Sequence, residues 1–309
     1  MTLPLISSRR AFLAWAGSGA ALLLAGCGDS SIVDRLDPKR FLIVGDGFCD
    51  QGQTGSLPSV NDGTQTWLQL LATYYGHVAP VAPVSQGGTA WAQAYAFIAS
   101  PDTVSGTNAP SVQTQIDQML AATVIANNDL VFINGGMADI VQAITQTGIS
   151  AATTAAVQAA ASALAAQVRR LTQNGGTHVV VTGVYDISVS PWAAGTGLDK
   201  SSISKLTVAF NDQLKISIND LWQNVLFLDA ALFYNLVYNS PGDYSLSNVT
   251  VPVCTTPTAL TCTTGTLVDS TNYNNYLFAD DLHFTLIAQR AFGSSSYSSN
   301  GYQQLVDRW

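Results

Sequence analysis

Phe41-Leu42-Ile43-Val44-Gly45-Asp46-Gly47-Phe48-Cys49-Asp50-Gln51-Gly52 is the stretch whose reading decides the fold. Four apolar residues, Phe41–Val44, stop abruptly at Gly45-Asp46-Gly47. A short continuous apolar run bounded by turn residues is the pattern of a strand buried on both faces of a parallel sheet. Similar runs follow at Leu130–Asn134, His178–Thr182 and Val225–Leu228. Helical periods lie between them, over Thr66–Tyr75, Val112–Ala122, Ser150–Leu171 and Ser201–Trp222. The third is rich in alanine and ends in Arg169-Arg170 before Asn174-Gly175-Gly176, a basic last turn followed by a glycine stop. Strand and helix in alternation predict an α/β fold. We expect a three-layer α/β/α sandwich around a mostly parallel, flavodoxin-like sheet, with function gathered at the carboxyl ends of its strands.

The chain has 309 residues, of which 10% are charged and 47% hydrophobic. That is enough for one large domain with a full core. The net charge is −8, and an acidic chain with few Lys and Arg is a poor match for nucleic acid or anionic lipid headgroups. No internal repeat or second domain stands out. Asn239 to Asn275, rich in Ser, Thr, Asn and Pro, is expected to be an irregular surface insertion.

Residues 1–27 read as an export signal rather than as fold. Ser8-Arg9-Arg10-Ala11-Phe12-Leu13 resembles a twin-arginine motif, and the apolar stretch Ala11–Ala25 is short for a membrane span. Leu24-Ala25-Gly26-Cys27 resembles a bacterial lipobox, which implies cleavage before Cys27 and its lipidation. Residues 28–39 are then a tether and residues 40–309 the folded domain. The expectation is a lipid-anchored protein of the bacterial cell envelope, on the periplasmic or extracellular side, touching the membrane through its anchor alone. Of the other cysteines, Cys254 and Cys262 bracket a Thr- and Pro-rich loop and could close it as a disulfide. Cys49 reads as a small buried residue after the first strand. No His accompanies the cysteines as zinc spacing requires, and nothing calls for a metal or organic cofactor.

The first stretch resembles the opening block of the GDSL (SGNH) ester hydrolases, in which a strand runs into Gly-Asp-Ser-Leu and the Ser is the nucleophile. In this register the nucleophile's position is Gly47. Val84-Ser85-Gln86-Gly87-Gly88-Thr89 resembles the second block, with Gly88 matching the glycine whose N–H helps hold the oxyanion. Asn134-Gly135-Gly136-Met137-Ala138-Asp139 resembles the third, Gly-x-Asn-Asp, with Ala138 where the oxyanion Asn stands. Asp280-Asp281-Leu282-His283 matches the last, Asp-x-x-His. The resemblance makes His283 the general base and Asp280 its orienting carboxylate, a spacing that lets the two side chains meet on one side of a turn. It extends over nearly all of Arg40–Trp309. Gly28-Asp29-Ser30 spells the missing tripeptide, but no strand precedes it and it lies in the tether.

The resemblance thus implies an acyl-cleaving architecture without its attacking hydroxyl and without one oxyanion donor. Losing a nucleophile costs about 10⁴ to 10⁶ in turnover, and one oxyanion donor roughly 10² to 10³. Three functions are compatible, in descending weight. One is a protein that binds an ester or glycan ligand without cleaving it. The next is a carboxylic-ester hydrolase in which His283 activates water directly. The last is a structural envelope lipoprotein.

Overall fold

Arg40–Val44 forms β1, and its guanidinium end fixes the register of the sheet. The Arg40 Nη2 and Nε donate to the Asp129 carboxylate at 2.6 and 3.1 Å, a two-pronged pair across neighbouring strands. Arg40 and Asp129 are also register partners, so the pair aligns β1 with β2, Asp129–Ile133. This is the computed structural model of the chain, and it describes residues 36–76 and 78–309. The signal, the lipobox Cys27, Ser30, most of the tether and His77 lie outside the described residues.

Between β1 and β2 come α1, Trp67–Tyr75, and α2, Val112–Ala122. Thr66 caps α1 in a reciprocal box with Gln69, and Ser111 caps α2. After β2 follow α3, Met137–Thr147, and α4, Ala151–Gln173, then β3, Val179–Thr182. Next are α5, Pro191–Thr196, α6, Lys200–Ile218, and β4, Val225–Leu228. The chain finishes through α7, Ala230–Asn239, β5, Asn248–Pro252, β6, Tyr276–Phe278, α8, Leu286–Gly293, and α9, Gly301–Arg308.

The central sheet has the order β1-β2-β3-β4, with every neighbouring pair parallel. Its strands are buried almost throughout, which is why they read as unbroken apolar runs. On its other edge β1 makes a single parallel bridge, from Ile43 to Ala90. The chain therefore leaves β1 to one side at Ala90 and to the other at β2, and the end of β1 is the point where strand order reverses. Clefts form at such points. On the flanks, α4 packs against α6, α3 and α2, while α1 packs against α8 and α8 against α9. The fold is the α/β sandwich expected.

The insertion from Asn239 to Asn275 is more ordered than expected. Its β5 pairs in parallel with β6, and a disulfide joins Cys254 to Cys262. Its strand is partly exposed and carries Asn and Thr, so it lacks the apolar run that marks a buried strand. Residues 36–309 form a single compact unit.

Candidate active site

Because Val44 and Ile133 are register partners, the turns after β1 and β2 leave the sheet side by side. Asn134 N–H donates back to Val44 O at 3.4 Å. Gly45 has φ +142°, and a Cβ there would lie 1.8 Å from Asn134 Oδ1, so only glycine fits. Gln115 of α2 clamps it, accepting from Gly45 N–H at 2.7 Å and donating to Gly45 O at 3.0 Å. Asp46 N–H donates to Asn134 Oδ1 at 3.1 Å, and the Asn134 amide donates to the Asp46 carboxylate. The turn is anchored from below by Phe48. Its ring stacks on Trp67 at 5.3 Å and meets Phe292 edge-on at 5.4 Å, while Trp67 Nε1 donates to Phe48 O at 2.8 Å.

The strand β6 delivers the second half of the site. Beyond it the backbone folds on itself, with Ala279 N–H donating to His283 O at 2.7 Å. Inside this loop the Asp280 carboxylate accepts from His283 N–H at 2.7 Å, Leu282 N–H at 2.9 Å and Ala259 N–H at 2.9 Å. Both its oxygens also face His283 Nδ1, at 3.0 and 2.9 Å. The loop is further held by Tyr185, whose hydroxyl donates to Leu282 O at 2.8 Å, and by Ser59, which donates to Phe284 O at 3.0 Å.

The opposite imidazole nitrogen, Nε2, is buried and has no hydrogen-bond partner among the described residues. It points to Gly47. A Cβ built on Gly47 would lie 2.8 Å from Nε2 and 2.7 Å from Cδ2, so the ring stands in contact with the bare glycine. Gly47, Asp280 and His283, expected together from the sequence, are together in space.

Charge around the imidazole is dense. Burial acts to lower the His283 pKa, but the carboxylate of Asp280 and those of Asp46 and Asp50 outweigh it, and the pKa rises above 6.5. Burial likewise acts to raise Asp280, yet the imidazolium and its N–H donors hold it down to about 2. Burial wins at three other carboxyls. Asp46 is raised despite the Phe48 N–H and the Asn134 amide, Asp50 is raised to about 6, and Asp139 is raised to about 7.

A pocket of about 460 Å³, its open mouth included, adjoins His283. Its polar lining includes Asp46, Asn134 and Gln289, and its aromatic lining includes Tyr185, Tyr234 and Phe284. Tyr234 and Phe284 stack at 3.9 Å, which packs the aromatic side of the pocket firmly. Among the described residues, no group of three or more His, Cys, Asp or Glu could hold a metal ion.

A family model described as GDSL-like Lipase/Acylhydrolase matches residues 41–295. The chain belongs to the GDSL-like lipase/acylhydrolase family. No curated protein sequence matches it. Solved structures of similar fold include a variant of Axe2, an acetyl xylan esterase from Geobacillus stearothermophilus. That likeness has 12% identity and a TM-score of 0.47, and it covers 87% of this chain and 95% of the other. Another is Est24, a carbohydrate acetylesterase from Sinorhizobium meliloti, at 13% identity and a TM-score of 0.44, covering 87% and 97%. A third is a member of the lipolytic G-D-S-L family from Veillonella parvula, at 13% and 0.44, covering 84% and 98%.

As a GDSL-like protein the chain departs from the expected oxyanion side in two places. Gly88 does not line the pocket. Its N–H donates to Pro83 O at 3.0 Å, and a Cβ there would lie 2.0 Å from Ala82 O, so this glycine serves a tight backbone approach in the turn before Ala90. The oxyanion role expected of Gly88 is therefore corrected: its donor is already spent. The segment that reaches the site is Gln93-Ala94-Tyr95. Gln93 N–H donates to Gly45 O at 3.1 Å and Ala94 N–H to Asp50 Oδ2 at 2.8 Å. Tyr95 then takes φ +69°, unusual for a bulky residue, and its ring meets that of His283 at 5.1 Å. Sequence reasoning missed Tyr95, because nothing in Ala94-Tyr95-Ala96 signals a left-handed backbone.

Ala138, in the first turn of α3, does not line the pocket and offers no side-chain donor. Asn134 does line it, but its amide is already bonded to Asp46. Cys49 is fully buried, and burial, with Asp46 and Asp50 nearby, pushes its thiol well above the ordinary range. That is the state of an inert packing cysteine, not of a thiolate nucleophile.

Proposed function

We propose that this GDSL-like protein binds an ester or glycan group at the His283 pocket without forming an acyl-enzyme. The observation that carries the reading is the contact between Gly47 and the imidazole. The side chain that would attack an acyl carbon is absent, and the ring has closed onto the backbone where its Cβ would stand. Nε2 is a buried polar atom without a partner among the described residues, and such an atom favours a ligand hydroxyl or carbonyl, which the neutral ring meets as acceptor and the charged ring as donor. Asp280, Asp46 and Asp50 around the ring disfavour an anionic ligand, so a neutral carbonyl or hydroxyl oxygen suits the site better than a carboxylate.

One observation favours a second reading, a hydrolase in which His283 activates water. The Asp280–His283 pair is fully hydrogen-bonded and oriented, as a general base needs to be. Turnover of 4-nitrophenyl acetate separates the two. The binding reading expects the same residual rate from the wild type and from His283→Ala. A wild-type rate that disappears in His283→Ala would overturn it in favour of the second.

The Leu24-Ala25-Gly26-Cys27 motif supports a lipid anchor on the bacterial envelope, facing the periplasm or exterior. Cys27→Ser is expected to shift the protein from the membrane fraction to the soluble fraction. Unchanged fractionation of that variant would argue against the anchor.

A further inference from the structure

The ring of Tyr95 touches the His283 imidazole without lining the pocket, so it covers a different side of the imidazole from the one that faces the cavity. The residue is held at three points. Its backbone follows Ala94, whose N–H is fixed to Asp50 Oδ2 at 2.8 Å. Its ring meets His283 at a centroid distance of 5.1 Å and an interplanar angle of 77°. Its hydroxyl pairs with Thr258 Oγ1 at 2.7 Å. Thr258 belongs to the loop closed by Cys254 and Cys262, and the next residue, Ala259, donates its N–H to Asp280 Oδ2 at 2.9 Å. One short loop thus grips both the carboxylate behind the imidazole and the tyrosine in front of it. Tyr95 adopts φ +69°, a conformation in which a residue with a Cβ persists only when its surroundings hold it there.

We infer that Tyr95 is the specificity-determining residue of the site: latched by Thr258, it closes one side of His283 and restricts the imidazole to narrow groups entering from the aromatic pocket. This deepens the ligand-binding reading and rests on it in taking His283 as the ligand contact. Neither hydroxyl of the latch is part of the Asp280–His283 pair, so the latch can be cut while that pair stays intact. The Tyr95 hydroxyl stays neutral, since burial and the carboxylate of Asp280 push its pKa up to about 12.

Carbethoxylation by diethyl pyrocarbonate at pH 8, located by peptide mass spectrometry, reads access to His283 Nε2 directly. His178, part-exposed just before β3, is the internal reference. In the wild type His283 is expected to react roughly tenfold more slowly than His178, because the site must open locally first. Tyr95→Ala is expected to raise the His283 rate about tenfold or more and leave His178 unchanged. Tyr95→Phe and Thr258→Val each remove one hydroxyl of the latch and are expected to raise it about two- to fivefold. A wild-type His283 rate in a folded Tyr95→Ala overturns the inference. If Tyr95→Ala does not fold, unchanged rates in both hydroxyl variants overturn it. The readout needs neither ligand nor turnover, so it fails or succeeds apart from the ligand-binding reading.

Discussion

At Gly47 a single missing side chain has two consequences, chemical and steric. The chemical one is the loss of an attacking oxygen. The steric one is that the imidazole lies 2.7–2.8 Å from where a Cβ would be, closer than side chains tolerate. The ring cannot easily retreat, because Asp280 holds Nδ1 and is itself held by three backbone N–H groups. Gly47→Ser should therefore overpack the site and cost about 1–3 kcal/mol. A lower urea midpoint without a change in slope would show it; a midpoint equal to the wild type would mean that the ring moves freely. The same variant alone is expected to give no esterase activity. Much of this site was legible from residues. Asp280 and His283 stand in a spacing that brings them together, and Gly47 follows a strand that ends where strand order reverses. Gly88 misled because two adjacent glycines mark any tight turn, and this one closes the approach to Ala90. Tyr95 was invisible because its importance comes from a backbone angle and a partner 163 residues away in sequence, Thr258.

At the scale of elements, the small loop between Cys254 and Cys262 does more than decorate the surface. It buries Ala259 and Cys262 and presents one N–H to Asp280 and one hydroxyl to Tyr95. Closing so short a loop removes about 2.5 kcal/mol of unfolded-state entropy on the chain-entropy view. Cys254→Ala with Cys262→Ala should lower stability by about 2 kcal/mol, read as a drop in the thermal midpoint. An unchanged midpoint would mean that packing alone holds the loop. The sequence showed this loop only as a bracketed connector because its partners, Asp280 and Tyr95, lie far from it along the chain. Elements were legible where burial imposes a period. The helices α1, α2, α4 and α6 carry apolar residues on one face, and each of the four central strands holds a run of three or four apolar residues. By contrast, α7 was not seen as a helix, because it is apolar nearly all round, with Leu232 and Leu236 exposed opposite its buried Phe233 and Val237. The eight residues of α9 bury only Gly301 and Leu305, too few to set a pattern.

Over the whole of the described residues, the buried carboxyls and the buried imidazole of His283 set the response to pH. His283 has its folded pKa raised above 6.5, so its contribution is fully present below about pH 6.5 and is lost as pH rises through the folded value. Asp280 is lowered to about 2, so its contribution is present above pH 3.8 and is lost only as pH falls toward 2. Asp50 and Asp139 act in the opposite sense to Asp280. Their folded values, about 6 and about 7, lie above 3.8, so each lowers stability as pH rises from 3.8 to its folded value and adds no further change above it. The losses of Asp50 and Asp139 fall between pH 3.8 and about 7, and that of His283 follows above pH 6.5. A net charge of −8 at pH 7 adds self-repulsion in the same direction. Maximum stability is therefore expected at about pH 4, with a fall on the order of 1–3 kcal/mol by pH 8. Chemical unfolding at a series of pH values from 4 to 9 measures this curve. Asp139→Asn keeps an oxygen to accept from Ile98 N–H and removes the ionisation. It should flatten the decline between about pH 4 and pH 7, and a decline as steep as the wild type's would show that Asp139 ionises in the folded protein without strain. The acidic optimum follows from burying the carboxyls of Asp46, Asp50 and Asp139, whose pKa values rise, while a fourth, Asp280, is held ionised down to about pH 2 by the imidazole and its N–H donors.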